Sequence, residues 1–242
     1  MKKKNASSIA REINKLERNL SRREVKLALI LVALSAMCTY TMAQEDTAYH
    51  GVKNGYDLKR NGSSEDANKS FEKALEIYNG ILKTDPKDIN AWDNKSFVLL
   101  SLGRTEEAIQ ALNDAIKNDP NNPKAWNNKG FGLTTMAALF TNDKVNKYNE
   151  SLQAFDEALN LDPKSAVAWR GKGLVYLELK NYDEALKAFD KAIELNPDLA
   201  RAWMGKGDAL KALGHDSEAE AAYAKAKKLG MPIDSVGTVV IP

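Results

Sequence analysis

Little in this chain equips it for covalent or metal chemistry. It has one cysteine, Cys38, and two histidines, His50 and His215, separated by 165 positions. A single cysteine forms no intrachain disulfide. Without a His/Cys cluster there is no ligand set for a structural zinc. A nucleophilic triad needs a histidine close to Ser or Cys, and both histidines read as exposed turn or helix-end residues. The chain contains neither a G-x-x-x-x-G-K-[ST] phosphate loop nor an H-E-x-x-H metal helix. Two "GKG" triplets, Gly171–Gly173 and Gly205–Gly207, fall inside helical patterns. There glycine serves close helix packing, not phosphate binding. Acidic triplets such as "EEA" and "DEA" sit where helices begin, and there they favour the helix dipole. The expectation is therefore no enzyme, no cofactor and no metal.

What is present divides unevenly. Residues 1–26 carry nine Lys/Arg against three Asp/Glu, and the remaining residues hold 26 against 30. The body is mildly acidic and gives no basic footprint for nucleic acid. Long apolar runs are missing except for one, Leu27–Ala43, "LALILVALSAMCTYTMA", which is free of charge. Seventeen residues is near the short limit for a bilayer span at ~1.5 Å per residue. Three readings stay open for this run: an uncleaved signal anchor, a signal peptide cut after Ala43 in the Thr41-x-Ala43 context, and a buried soluble helix. The first two export the body, because the basic arm stays on the cytoplasmic side. The arm places Ile9, Ile13, Leu16 and Leu20 at helical spacing. It either lies on the membrane surface or is solvated.

The body is periodic. Ala-Trp pairs begin at 91, 125, 168 and 202, and prolines 86, 120, 163 and 197 keep the same spacings of 34, 43 and 34. Recurrence in independent landmarks marks a repeat architecture. Each period carries two apolar stripes of helical spacing. One is Trp169, Gly173, Tyr176; the other is Ala185, Phe189, Ala192, ended by Asn196-Pro197. Two such helices form an antiparallel hairpin whose stripes are buried only when neighbours stack.

The pattern Trp169, Gly173, Tyr176, Ala185, Phe189, Pro197 resembles the tetratricopeptide repeat. Looser copies start at Trp92, Trp126 and Trp203. The resemblance implies an all-α fold: a right-handed α-solenoid of stacked hairpins, here preceded by an N-terminal hydrophobic helix. The expected organisation is a basic arm at 1–26, a signal anchor or signal peptide at 27–43, and a divergent first repeat at 44–86. Repeats follow at 87–120, 121–163, 164–197 and 198–231, then a tail at 232–242. In the divergent unit, Ala67, Phe71 and Ala74 fit the second helix, but Pro86 comes late. This predicts a second helix longer by two turns, with a partner helix within 46–60. Nine extra residues around 141–150 predict a turn added to each helix of the second repeat, with a new start near Asn142 or Asp143 and an apolar stripe through Val145, Tyr148 and Leu152. That prong is either decoration or a contact point. The tail caps the last helix or pairs with a partner.

With each Trp as position 4, positions 4, 8 and 11 of the first helices pack inward, and 2, 6, 9 and 13, with 5 on the flank, face away. In the tetratricopeptide family that face lines a concave groove for a partner segment. The resemblance thus implies a groove of Asn90, Asp93, Asn94 and Phe97, then Lys124, Asn127, Asn128 and Phe131, then Val167, Arg170 and Leu174, then Arg201, Met204 and Asp208. Position 9 reads Phe97, Phe131, Leu174, Asp208; the first three form an apolar stripe able to anchor a peptide unless it packs against the adjacent repeat. Lys124, Arg170 and Arg201 flank it. Some members clamp a C-terminal carboxylate with five Lys, Asn and Arg residues; only Asn128 fits that set. The expected function is a protein–protein interaction scaffold, membrane-anchored with its repeats extracytoplasmic or secreted after cleavage. The alternative is an extracytoplasmic carrier of small peptides or glycans.

Overall fold

The computed structural model describes residues 42–139 and 142–231. These form ten helices and, among the described residues, no strand. Helix α1 covers residues 42–60. There follow α2 (Ser64–Thr84), α3 (Ile89–Ser101), α4 (Thr105–Asn118), α5 (Pro123–Leu139), α6 (Lys144–Leu161), α7 (Ala166–Glu178), α8 (Tyr182–Leu195), α9 (Ala200–Ala212) and α10 (Asp216–Lys228). They pair as five hairpins, here the N-terminal unit (α1–α2) and repeats 1 to 4.

Local chemistry sets the helix boundaries. In the loops between repeats, the side chains of Asp85, Asp162 and Asn196 each accept from the backbone N–H two residues on, at 3.0, 3.1 and 3.1 Å. This is the Asx turn these residues favour, and the following proline ends the preceding helix. Asp88 then caps α3, accepting from the Asn90 and Ala91 amides. Pro123 opens α5, where its missing N–H is no loss. Within the hairpins, Gly103 and Gly214 turn the chain at φ 74° and 82°; repeat 3 puts Lys180 at the same place, at φ 60°.

Core packing couples neighbouring repeats. A large side chain on each second helix is buried, and Phe155 fully so. An added Cβ would stand 2.6 Å from the Phe155 ring at Gly130 and 2.4 Å from it at Gly171. The ring is thus clasped by its own repeat and by the next. Phe189 lies likewise between Gly173 and Gly205. The two glycines of each "GKG" therefore face different rings. Repeat 1 substitutes Ser96 and Leu112, both buried.

The tryptophans do not enter this core fully. Trp92 is buried and the other three are half-buried. Each indole N–H donates to the carbonyl of the proline six residues earlier: Trp92 to Pro86 at 2.9 Å, Trp126 to Pro120 at 3.1 Å, Trp169 to Pro163 at 3.4 Å and Trp203 to Pro197 at 2.8 Å. They tie each first helix to the loop ahead of it.

The two irregular units match the spacing argument. Helix α2 has 21 residues where α4 and α8 have 14. Helices α5 and α6 have 17 and 18, and Asp143 sits at the N-cap of α6. Tyr148 is buried there and donates to Glu178 of the next repeat at 3.1 Å. Val145, expected on the inner stripe, is instead 61% exposed, as is Leu139 at 69%. Both lie at the ends of α5 and α6 that flank the connecting loop.

Among the described residues no helix is long and apolar enough to cross a membrane. The basic arm, residues 27–41 of the apolar run and the tail lie outside the described residues; Met42 and Ala43 begin α1.

Candidate partner-binding groove

Consecutive first helices touch directly, α3 with α5, α5 with α7 and α7 with α9, while consecutive second helices stay further apart among the described residues. The stack therefore curves toward its first helices, which line the concave side. The residues expected in the groove lie on those helices. Asn90, Asp93, Phe97, Lys124, Val167 and Arg201 are exposed, and Asn94, Asn128, Phe131, Arg170, Leu174, Met204 and Asp208 are half-buried. Asn127 departs from the expectation of an open groove residue. It is only 8% exposed, its amide nitrogen lies 3.5 Å from Ser165 Oγ, and its Oδ1 has no partner.

Position 9 divides. Phe97 is 51% exposed. Phe131 packs edge-to-face on Phe155, with ring centres 4.9 Å apart, and is covered by the Arg170 guanidinium at 4.7 Å. The stripe is thus open at repeat 1 and packed at repeat 2. Position 6 is closed in repeats 3 and 4, where Gly171 and Gly205 lie on the preceding ring.

Sequence reasoning missed one member. Tyr56 of α1 sits beside Phe97, ring centres 5.6 Å apart, and its hydroxyl bonds to Ser101 Oγ. It occupies position 9 of the N-terminal unit. The signal was Gly55, which meets Phe71 as Gly173 meets Phe189. Its distances to Ala67 and Phe71 equal those from Gly173 to Ala185 and Phe189. Gly51 in the tryptophan position hid the register.

The electrostatics follow burial. Desolvation raises the Asp93 carboxyl above its ordinary range. It also raises Asp208, against the Tyr223 hydroxyl that donates to it at 2.8 Å. Arg170 is pulled down to about 10 by desolvation and then by Arg201.

Away from the groove, the position-7 lysines lie over the tryptophans of their own helices, 4.9 to 5.8 Å from the ring centres. Lys172 and Lys206 also pair with Asp156 and Asp190 of the preceding repeat, at 2.6 and 2.7 Å. Their amines are therefore held. For Lys95 the corresponding acid, Glu72, is taken by Arg104 at 3.1 Å. For Lys129 the corresponding residue is Asn113. Desolvation lowers the pKa of both lysines. Among the described residues no cluster of His, Cys, Asp and Glu is able to hold a metal ion.

The sequence pattern of the tetratricopeptide repeat matches residues 67–129, 166–199 and 200–229. The chain belongs to the tetratricopeptide repeat family, whose members bind other proteins or peptides and typically serve as scaffolds, not catalysts. The residues between the first two matches hold most of the lengthened hairpin. No curated protein matches the sequence. Among solved structures the fold is similar to TTC0263, a thermophilic TPR protein of Thermus thermophilus. That match has a TM-score of 0.59 and 20% identity, covering 76% of this chain and 91% of that one. It is also similar to PilW, a widely conserved type IV pilus biogenesis factor, at a TM-score of 0.55 and 19% identity, covering 75% and 77%. MamA from Desulfovibrio magneticus RS-1 matches at a TM-score of 0.51 and 20% identity, covering 76% and 95%.

Proposed function

We propose that the concave face formed by α3, α5, α7 and α9, extended by α1, docks a segment of a partner protein, and that the chain works as an interaction scaffold at a membrane. The observation that carries the docking reading is Phe97. A phenylalanine left half open beside Tyr56, on the inner wall of a curved stack, offers an apolar anchor that the fold itself leaves unfilled. Val167, 44% exposed on the same face two repeats on, continues the apolar surface.

The test is a photo-crosslinking amino acid placed at Phe97 or, as an outer-face control, at Lys187 of α8. A discrete stoichiometric adduct in cells from position 97 and none from 187 is expected. Equal labelling from both positions, or adducts only from 187, would overturn the groove assignment.

The membrane reading rests on the charge-free run after the basic arm. Helical backbone continues from Met42 through Ala43 and Gln44, and Thr47 Oγ1 donates to the Ala43 carbonyl at 2.7 Å. The basic arm, residues 1–26, is long for the charged leader of a cleaved signal, which supports an anchor. Fractionation with N-terminal sequencing decides: a membrane-bound chain beginning at Met1 is expected, and a soluble chain beginning at Gln44 rejects the anchor.

A further inference from the structure

We infer that Arg170 receives the carboxylate side chain of an extended, acidic segment of the partner protein; this rests on the groove reading above and names the chemistry of its occupant. The cation is held but not satisfied. Its guanidinium carbon lies over the Phe131 ring, 4.7 Å from the ring centre. Its Nε is shielded from solvent and makes no hydrogen bond. Shielded donors are almost always paired, and shielded charges are paired or expelled. Among the described residues no carboxylate pairs with it. The charge that acts on it is another cation, Arg201, and desolvation together with that repulsion weakens its hold on its proton. Asp208, the acid further along the same face, is engaged by the Tyr223 hydroxyl.

A carboxylate set against the two terminal Nη groups of Arg170, which are not shielded as Nε is, accepts two parallel N–H bonds, the bidentate geometry that makes arginine selective for this group. Arg201 and Lys124, without ion pairs among the described residues, add positive charge along the path. A neutral or lysine-rich segment would supply neither the acceptor for Arg170 nor the counter-charge.

The test uses fluorescent, end-blocked peptide pools in which leucine alternates with glutamate, glutamine or lysine, read by anisotropy against the full chain. The glutamate pool should bind about tenfold more tightly than the glutamine pool. Arg170→Met and Arg170→Lys should each reduce that preference, Met abolishing it. The thermal midpoint of Arg170→Met should stay level or rise, since an unpaired shielded charge is removed. Equal binding of glutamate and glutamine pools, with binding still lost in Phe97→Ser, would reject the carboxylate and keep the groove. No binding by any pool rejects both. Binding that requires a free C-terminus in place of the blocked end would show a main-chain carboxylate and overturn the side-chain assignment. A lowered midpoint in Arg170→Met with unchanged pool preference makes Arg170 a packing residue and also overturns it.

Discussion

Gly171 lies directly on the ring of Phe155: a methyl group on that glycine would come within 2.4 Å of ring carbons Cε1 and Cζ. The ring cannot retreat, because Gly130 closes its other side and Phe155 is fully buried. Gly171→Ala therefore gains ~1 kcal/mol of helix propensity and loses ~1–3 kcal/mol to overpacking. The expected outcome is a net fall in the midpoint of urea unfolding. Gly80→Ala is the internal control. It lies within α2 with nothing in the way of a Cβ, so it should stabilise by ~0.5–1 kcal/mol.

Lys180 occupies the left-handed turn position that Gly103 and Gly214 hold in other repeats. A side chain there costs roughly 1 kcal/mol, and part of that is offset because glycine loses more entropy on folding. Lys180→Gly should thus raise stability by ~0.5–1 kcal/mol in thermal or urea unfolding. No gain would mean that the exposed lysine is stabilised in some compensating way.

Much of this architecture was legible before any coordinates. The prolines and tryptophans counted out the hairpins, and the late Pro86 and the 43-residue gap forecast the two lengthened ones. The less legible features depended on what lay opposite a residue. Val145 continues an apolar stripe, yet it stands exposed beside the loop that joins α5 to α6. Asn127 has a groove register but sinks beside Ser165. Phe131 and Phe97 share a position, but only Phe131 finds a phenylalanine to pack on, because repeat 1 has Leu112 in that place. Tyr56 was hidden by the missing tryptophan of its helix.

Lys129 is the one position-7 lysine whose register partner in the preceding repeat, Asn113, is not an acid. Asn113→Asp should recreate the contact that Lys172 makes with Asp156. The pair would add a few tenths of a kcal/mol. The sharper readout is Lys129 itself: its ammonium pKa, now lowered by desolvation, should rise in side-chain NMR titration. A pKa that stays in place would refute the register.

Asp208 has its carboxyl raised by desolvation in the folded chain. Between its unfolded and folded pKa the native state binds more protons, so stability falls as pH rises through that window. Asp208→Asn keeps an acceptor for the Tyr223 hydroxyl and removes the titration. The variant should unfold at a higher midpoint than the wild type at neutral pH, and the two should converge in acid. Parallel curves across the acid range would show that Asp208 does not titrate abnormally.

Phe155 and Phe189 each lean on glycines from two successive repeats. The prolines look like natural seams, but a cut there separates a ring from one of its two walls. Trimming the chain after Asn196 would leave Phe189 bare where Gly205 had been. Shortened or grafted versions of this solenoid will therefore keep a dry end only if they carry the next first helix along, or replace the exposed ring with a polar residue.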